Sequence, residues 1–149
     1  KDEIDRHLSK LCSEFCQIGN PDVLTTPTVQ HLSLKYSGKL KEAVNDQKII
    51  QTLHPTPAMG GIPSQLAQDW IYKNEPFDRG WYASPLGWIS SQGAEMAVGI
   101  RSALVKENQL HLFAGGGILQ GSIAEEEWKE LNYKISQYHG NSVSQRILV

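Results

Sequence analysis

Residues 53–63 read LHPTPAMGGIP, with three prolines, two adjacent glycines and no charge. Prolines this dense remove backbone donors and fix φ, which excludes a helix, and the same losses argue against a central strand. The segment therefore has to be a stiff loop opened by glycine, and the remaining elements must be arranged around it.

On its N-terminal side, Ile4, Leu8, Leu11, Cys12 and Phe15 recur at helical spacing. They predict an amphipathic helix over residues 2–17, ended by Gly19-Asn20-Pro21. A Thr- and Pro-rich loop follows. A strand is expected over residues 29–36, with Leu32, Leu34 and Tyr36 on one face, and a helix over residues 41–53. Past the loop, Pro63-Ser64 opens a helix to Asn74, with Ser64 as N-cap and Leu66, Ala67, Trp70 and Ile71 inward. From Gly80 the period changes to two. Residues 80–90, 95–105 and 109–114 read as three consecutive antiparallel strands, with turns at 91–93 and 106–108. Gly115-Gly116-Gly117 breaks the pattern. Ser122 and Glu125 have capping-box spacing, and a final helix runs to about His139 with Gly140 as its C′ residue.

The length, 149 residues, suits one ordinary domain, and 40 % apolar with 20 % charged residues is a globular composition. A net charge of -2 without any basic run argues against nucleic acid or an anionic membrane surface as partner. No apolar run approaches a membrane span and no signal peptide is visible. Only Cys12 and Cys16 are present, which points to a reduced, cytoplasmic protein. The chain opens on Lys1 rather than Met, as a piece of a longer protein would.

Three places could carry chemistry. In the strand expected over 95–105, Met96, Val98, Ile100, Ser102 and Leu104 suit a packed core. The other face holds Ala97, Gly99, Arg101 and Ala103, and small residues beside one arginine leave a recess where its planar fork could take a carboxylate. A solvated surface arginine is the alternative. Glycines 115–117, between a strand and a helix, could bring backbone N–H groups to an anion or simply make a turn. On the last helix Glu127, Glu130 and Lys134 share one face, and Trp128, Leu131, Ile135 and Tyr138 share the other. The acidic face suits either a solvated, charge-paired surface or a hard-cation site. Asp5 would add a carboxylate if the first helix packs beside the last. His31 reads as a core histidine and Tyr82 as packing.

Taken together, LHPTPAMGGIP, FDRGWYASPLGW, VGIRSALV, LFAGGGILQGS and EEEWKELNYKIS stand in the same order as in the chorismate-binding enzymes. Residues 1–139 resemble that family, and the proline-rich loop is similar to that of isochorismate synthases of the menaquinone and siderophore type. The resemblance implies an α+β fold of stacked antiparallel sheets flanked by helices, of which residues 1–149 would be the C-terminal part. It implies that Arg101, Gly115 and Gly117 hold a carboxylate of chorismate. His31 and Tyr82 would line the ring pocket, Lys134 would stand near the substrate, and the loop with Ala58 and Met59 would form a rigid pocket wall. Glu130 would ligate Mg2+, helped by Glu127, with Asp5 in place of a second glutamate. Ala58, where ammonia-using relatives carry threonine, points to water as nucleophile.

The reaction implied is conversion of chorismate to isochorismate by water addition and loss of the 4-hydroxyl. The family's general-base lysine and general-acid glutamate match no residue here, so the chain alone is expected to be inactive. It would need the missing N-terminal part, or would self-associate through the face meant for it. A salicylate synthase and a non-catalytic half of a split enzyme are the other readings.

Overall fold

The computed structural model describes residues 2–25, 30–136, 138 and 145–148. The chain is α+β, with helices flanking small, mainly antiparallel sheets. Helix α1, Asp2–Leu11, starts with Asp2, Glu3 and Asp5 and ends with Lys10, charges that suit its dipole. It stops well before the expected Gln17. Strand β1, Cys12–Thr25, follows directly and pairs antiparallel with β2, Gln30–Leu40. Pairing to β2 overrides the helical spacing of Cys12 and Phe15. Gly19-Asn20-Pro21, expected to end a helix, instead lies where the register shifts between Ile18 and Asp22, and a bulge is where a strand tolerates proline. The end of α1 is closed by Lys41. Its N–H donates to the Leu11 carbonyl at 3.0 Å, and its ammonium donates to the carbonyls of Ser9 at 2.7 Å and Lys10 at 3.2 Å. Val29, expected to begin β2, lies outside the described residues.

Helix α2, Asp46–Leu53, begins five residues later than expected, because the Asn45 side chain accepts the Lys48 N–H at 2.9 Å and caps it. The exclusion of helix from the proline-rich segment is overturned by one turn, α3, Pro57–Gly60. Pro57 stands at its start, where no donor is required. Gly61, at φ 74, then reverses the chain against Ala67, a conformation that suits only glycine. Helix α4, Ser64–Asn74, has Pro63 rather than Ser64 at its N-cap, and the Ser64 hydroxyl accepts from Gln68 Nε2 at 2.6 Å instead.

The three-stranded meander expected after Gly80 is two sheets. Residues 80–84 are turn, and β3, Pro85–Ser90, pairs with β4, Gly93–Val98. The chain breaks at Gly99–Arg101, where the Ile100 N–H bonds back to Val98 and Arg101 takes φ 47. Strand β5, Ser102–Lys106, pairs antiparallel with β6, Gln109–Phe113, and β7, Gln145–Leu148, joins β6 in parallel. The turns expected near 91–93 and 106–108 are present. Helix α5, Ala124–Ser136, follows the glycines. Its expected end at His139-Gly140 lies outside the described residues. No described helix is long and apolar enough to cross a membrane.

Among the described residues the buried apolar ones are few: Leu11, Cys12, Ala83, Leu112, Ala114 and Ile135. The chain exposes 11347 Å², whereas a compact monomer of 16.6 kDa exposes about 7,600 Å². Several residues expected to point inward face outward, among them Leu66, Trp70, Met96, Leu104 and Trp128. Their faces are apolar, as the sequence indicates, but nothing among the described residues covers them.

Candidate functional site

The glycine bend after β6 is the point on which the other elements converge. Along α5, Lys134 turns inward, with only 14 % of its side chain exposed against 55 % for Glu130. Its ammonium donates to the Gly115 carbonyl at 3.0 Å and pairs with Glu130 Oε1 at 2.6 Å. One turn earlier, Glu127 Oε1 accepts the Ser122 hydroxyl at 2.6 Å, and Oε2 lies beside Gly116. Ser122 also accepts the Leu119 N–H at 3.1 Å. The capping box expected with Glu125 is therefore absent, and Ser122 braces Glu127 in its place. At the far end of α5, the Tyr138 hydroxyl donates to the Arg101 carbonyl.

Arg101 stands in a different backbone setting from the one expected. It is not in a strand interior flanked by small residues but in the break between β4 and β5. Ser102 pairs with Phe113, which sets Arg101 beside the strand end that leads into Ala114 and Gly115. A non-glycine residue at φ 47 costs roughly 1–2 kcal/mol of backbone strain, and such strain gathers at functional sites.

From the other side comes Tyr82, held in the 80–84 turn by its N–H to the Arg79 carbonyl at 2.8 Å. Its ring stacks on Phe113 with centroids 5.9 Å apart, and a Cβ on Gly115 would collide with its hydroxyl. Glycine is required there for close approach. Burial pushes the Tyr82 phenol up from its ordinary value, while the Arg79 guanidinium pulls it down. Tyr82 also borders a cavity of about 450 Å³ between α4 and the proline-rich loop, lined by His54, Met59, Gly60, Glu75 and Arg79 among others.

That lining contains groups the sequence reading missed. His54 Nδ1 is buried without a partner, and burial lowers the pKa of the ring. Glu75 and Arg79 stand four apart, a spacing visible in the sequence, and form a part-buried ion pair. Of the loop residues singled out, Met59 is half-buried and Ala58 exposed. Gly60 is buried against Pro55, so it serves packing within the loop.

Two further expected site residues belong to the α1–β1–β2 side. His31 sits on β2 opposite Leu24, with Nε2 buried and unpartnered. Asp5 is on α1, which packs against α2 and β1, and its carboxylate lies beside Tyr36 of β2. Asp5 Oδ1 is buried without a hydrogen-bond partner. Burial first, and the Asp5 carboxylate second, push the Tyr36 phenol up. Among the described residues no three His, Cys, Asp or Glu side chains group as a metal site. Glu127 and Glu130 lie one turn apart, a spacing compatible with a hard cation, and among the described residues each is contacted through Oε1. Magnesium needs only one or two carboxylates besides water and substrate oxygens.

The chorismate binding enzyme family matches residues 1–139. The chain belongs to this family. It is 44 % identical over 125 residues to isochorismate synthase MenF of Bacillus subtilis, covering 83 % of this chain and 26 % of that protein. It is 41 % identical over 130 residues to isochorismate synthase EntC of Escherichia coli K12, covering 87 % of this chain and 33 % of that one. Among solved structures, a putative 2,3-dihydroxybenzoate-specific isochorismate synthase, DhbC from Bacillus anthracis, superposes with a TM-score of 0.82 at 33 % identity. That match covers 91 % of this chain and 37 % of the other. The chain thus spans about a quarter to a third of the length of the curated relatives it matches. The parallel β7 and the divided meander refine the expected architecture of the family without changing its class.

Proposed function

We propose that these residues are the C-terminal part of the chorismate-binding domain of a magnesium-dependent isochorismate synthase. The observation that carries this reading is the convergence on the glycine bend: Lys134 and Tyr82 meet at Gly115, Glu127 of the acidic helix face lies beside Gly116, and Arg101 leads into the strand paired with the one that ends there. A ligand with two carboxylates would find there a cationic side and a side suited to a cation. Arg101 and the N–H groups of Gly115 and Gly117 would hold one carboxylate, with Lys134 adding positive charge. Glu130 and Glu127 would hold magnesium, which supplies charge neutralisation at the other carboxylate and so favours attack by water on the ring. Tyr82 and the loop wall at Met59 would fix the ring and keep stray water out. Asp5 Oδ1 and His31 Nε2, both buried and unpartnered, are the groups on the β1–β2 side that would face substrate or ion.

The reaction adds water to the ring and releases the 4-hydroxyl, so it needs one base and one acid. We assign both to the portion of the relatives' length that this chain does not match. That portion would also cover the apolar faces left bare here, which include Leu24, Leu32, Leu66, Trp70 and Leu104. The unpaired state of Cys12 and Cys16 is in keeping with a reducing cytoplasm.

The test is product analysis with chorismate and magnesium. The complete polypeptide is expected to yield isochorismate, and residues 1–149 alone to yield none. Salicylate with pyruvate would make it a salicylate synthase, and no turnover by the complete polypeptide would leave a binding subunit.

A further inference from the structure

Arg79 sits at none of the positions proposed to bind substrate, yet its side chain joins the two walls of the cavity. Its Nε donates to Glu75 Oε2 at 2.7 Å and its Nη2 to Glu75 Oε1, a two-point grip on the residue that ends α4. The remaining arm, Nη1, donates to the Met59 carbonyl at 3.1 Å, in the one-turn helix of the proline-rich loop. The guanidinium carbon then lies 5.9 Å from the centre of the Tyr82 ring, whose hydroxyl abuts Gly115. One planar group thus ties α4, the loop and the tyrosine turn together. A lysine carries the charge but not the fork, and it cannot grip a carboxylate at two points while also reaching a carbonyl and lying by a ring.

We propose that Arg79 is a positioning residue for substrate binding. Together with Glu75 it sets the distance between the loop wall at Met59 and the Tyr82 phenol, and so the width of the pocket that receives the ring. This rests on the reading that Met59 and Tyr82 line that pocket. The clamp is made before substrate arrives and acts on ground state and transition state alike, so its loss should appear in KM and not in kcat. The three partners come from segments joined by a loop and a turn rather than by one packed core. Loosening the clamp should therefore shift the walls without unfolding the domain.

The experiment uses the complete polypeptide with chorismate and magnesium. Arg79→Lys is expected to raise KM about tenfold with kcat within about threefold of wild type, as a uniform binding loss would. Arg79→Lys/Glu75→Gln should be no worse than the weaker single variant, because both break one unit. Thermal melting of Arg79→Lys controls for folding, and the conservative replacement keeps the test open if Arg79→Ala fails to fold. An unchanged KM in Arg79→Lys, or a fall in kcat at constant KM, overturns the clamp while leaving the function standing. Wild-type polypeptide that turns over no chorismate overturns the function, and the clamp with it.

Discussion

The two ends of this chain solve their packing differently. Around Gly115 several charged groups have partners within the chain: Lys134 has Glu130 and a carbonyl, Glu127 has Ser122, and Arg79 has Glu75, with His54 Nδ1 the exception in the adjoining cavity. Among the described residues, the buried Ala83, Leu112, Ala114 and Ile135 lie at this end. The β1–β2 ribbon is the reverse. Ile18, Val23, Leu24, Leu32 and Leu40 are exposed along it, while Asp5 Oδ1, His31 Nε2 and the Tyr36 hydroxyl are buried without partners. An end whose lysine, glutamates and Arg79 are already paired is organised for binding in advance. An end with bare leucines and orphaned polar atoms is organised by whatever covers it.

The sharpest way to break that contrast is at Gly115. A Cβ added there would collide with the Tyr82 hydroxyl. Gly115→Ala in the complete polypeptide is expected to weaken chorismate binding about 10- to 100-fold, in line with overpacking costs of roughly 1–3 kcal/mol. Adding Tyr82→Phe, which removes the colliding oxygen, should recover part of that loss. Equal binding by Gly115→Ala and wild type would mean that the contact is not part of the site.

The opposite end is probed by Leu32→Ser. On the bare ribbon this is a surface change, worth within about 0.5 kcal/mol. In the complete polypeptide, with the face covered, the cost should reach about 2 kcal/mol or more. Paired thermal melts of the two forms measure the difference, and equal shifts would argue against a cover over this face.

A smaller effect concerns His54. Burial sets its folded pKa below the ordinary 6.5, so folding favours the neutral ring. Its contribution to stability is present above pH 6.5 and is lost as pH falls through the lowered folded value. Melts of the complete polypeptide between pH 7.5 and 5.5, on a scale set by the ordinary histidine pKa of about 6.5, should therefore show a decline that His54→Gln reduces. An identical decline in the variant would move the cause elsewhere.

Much of this was legible in the sequence, and the failures have physical reasons. Periodicity located α4, α5 and β6 because each carries an apolar stripe or face along its sequence. It failed at Cys12, where helical spacing continues from Leu11 into Phe15 although the chain has become a strand, since cross-strand pairing with β2 is invisible to a local window. It also failed for Leu66, Trp70 and Trp128. Their apolar faces are real, but their partners are not in these residues. Arg101 was singled out from the alternation of a continuous strand, and that strand does not exist. What makes the position special is a left-handed backbone, which composition does not reveal. By contrast, Glu127, Glu130 and Lys134 needed only helical geometry to be placed together, and α5 does so. The Glu75–Arg79 pair had the same signal and went unread because it falls at the end of a helix beside a turn.

The measurement closest to the central claim is a calorimetric titration of the complete polypeptide with magnesium in the presence of chorismate, for wild type and Glu130→Ala. An acidic helix face that holds the ion beside the glycine bend predicts a saturable magnesium heat in wild type that Glu130→Ala loses, while Lys134 remains tied to the Gly115 carbonyl. Magnesium binding of equal strength in both proteins would contradict it.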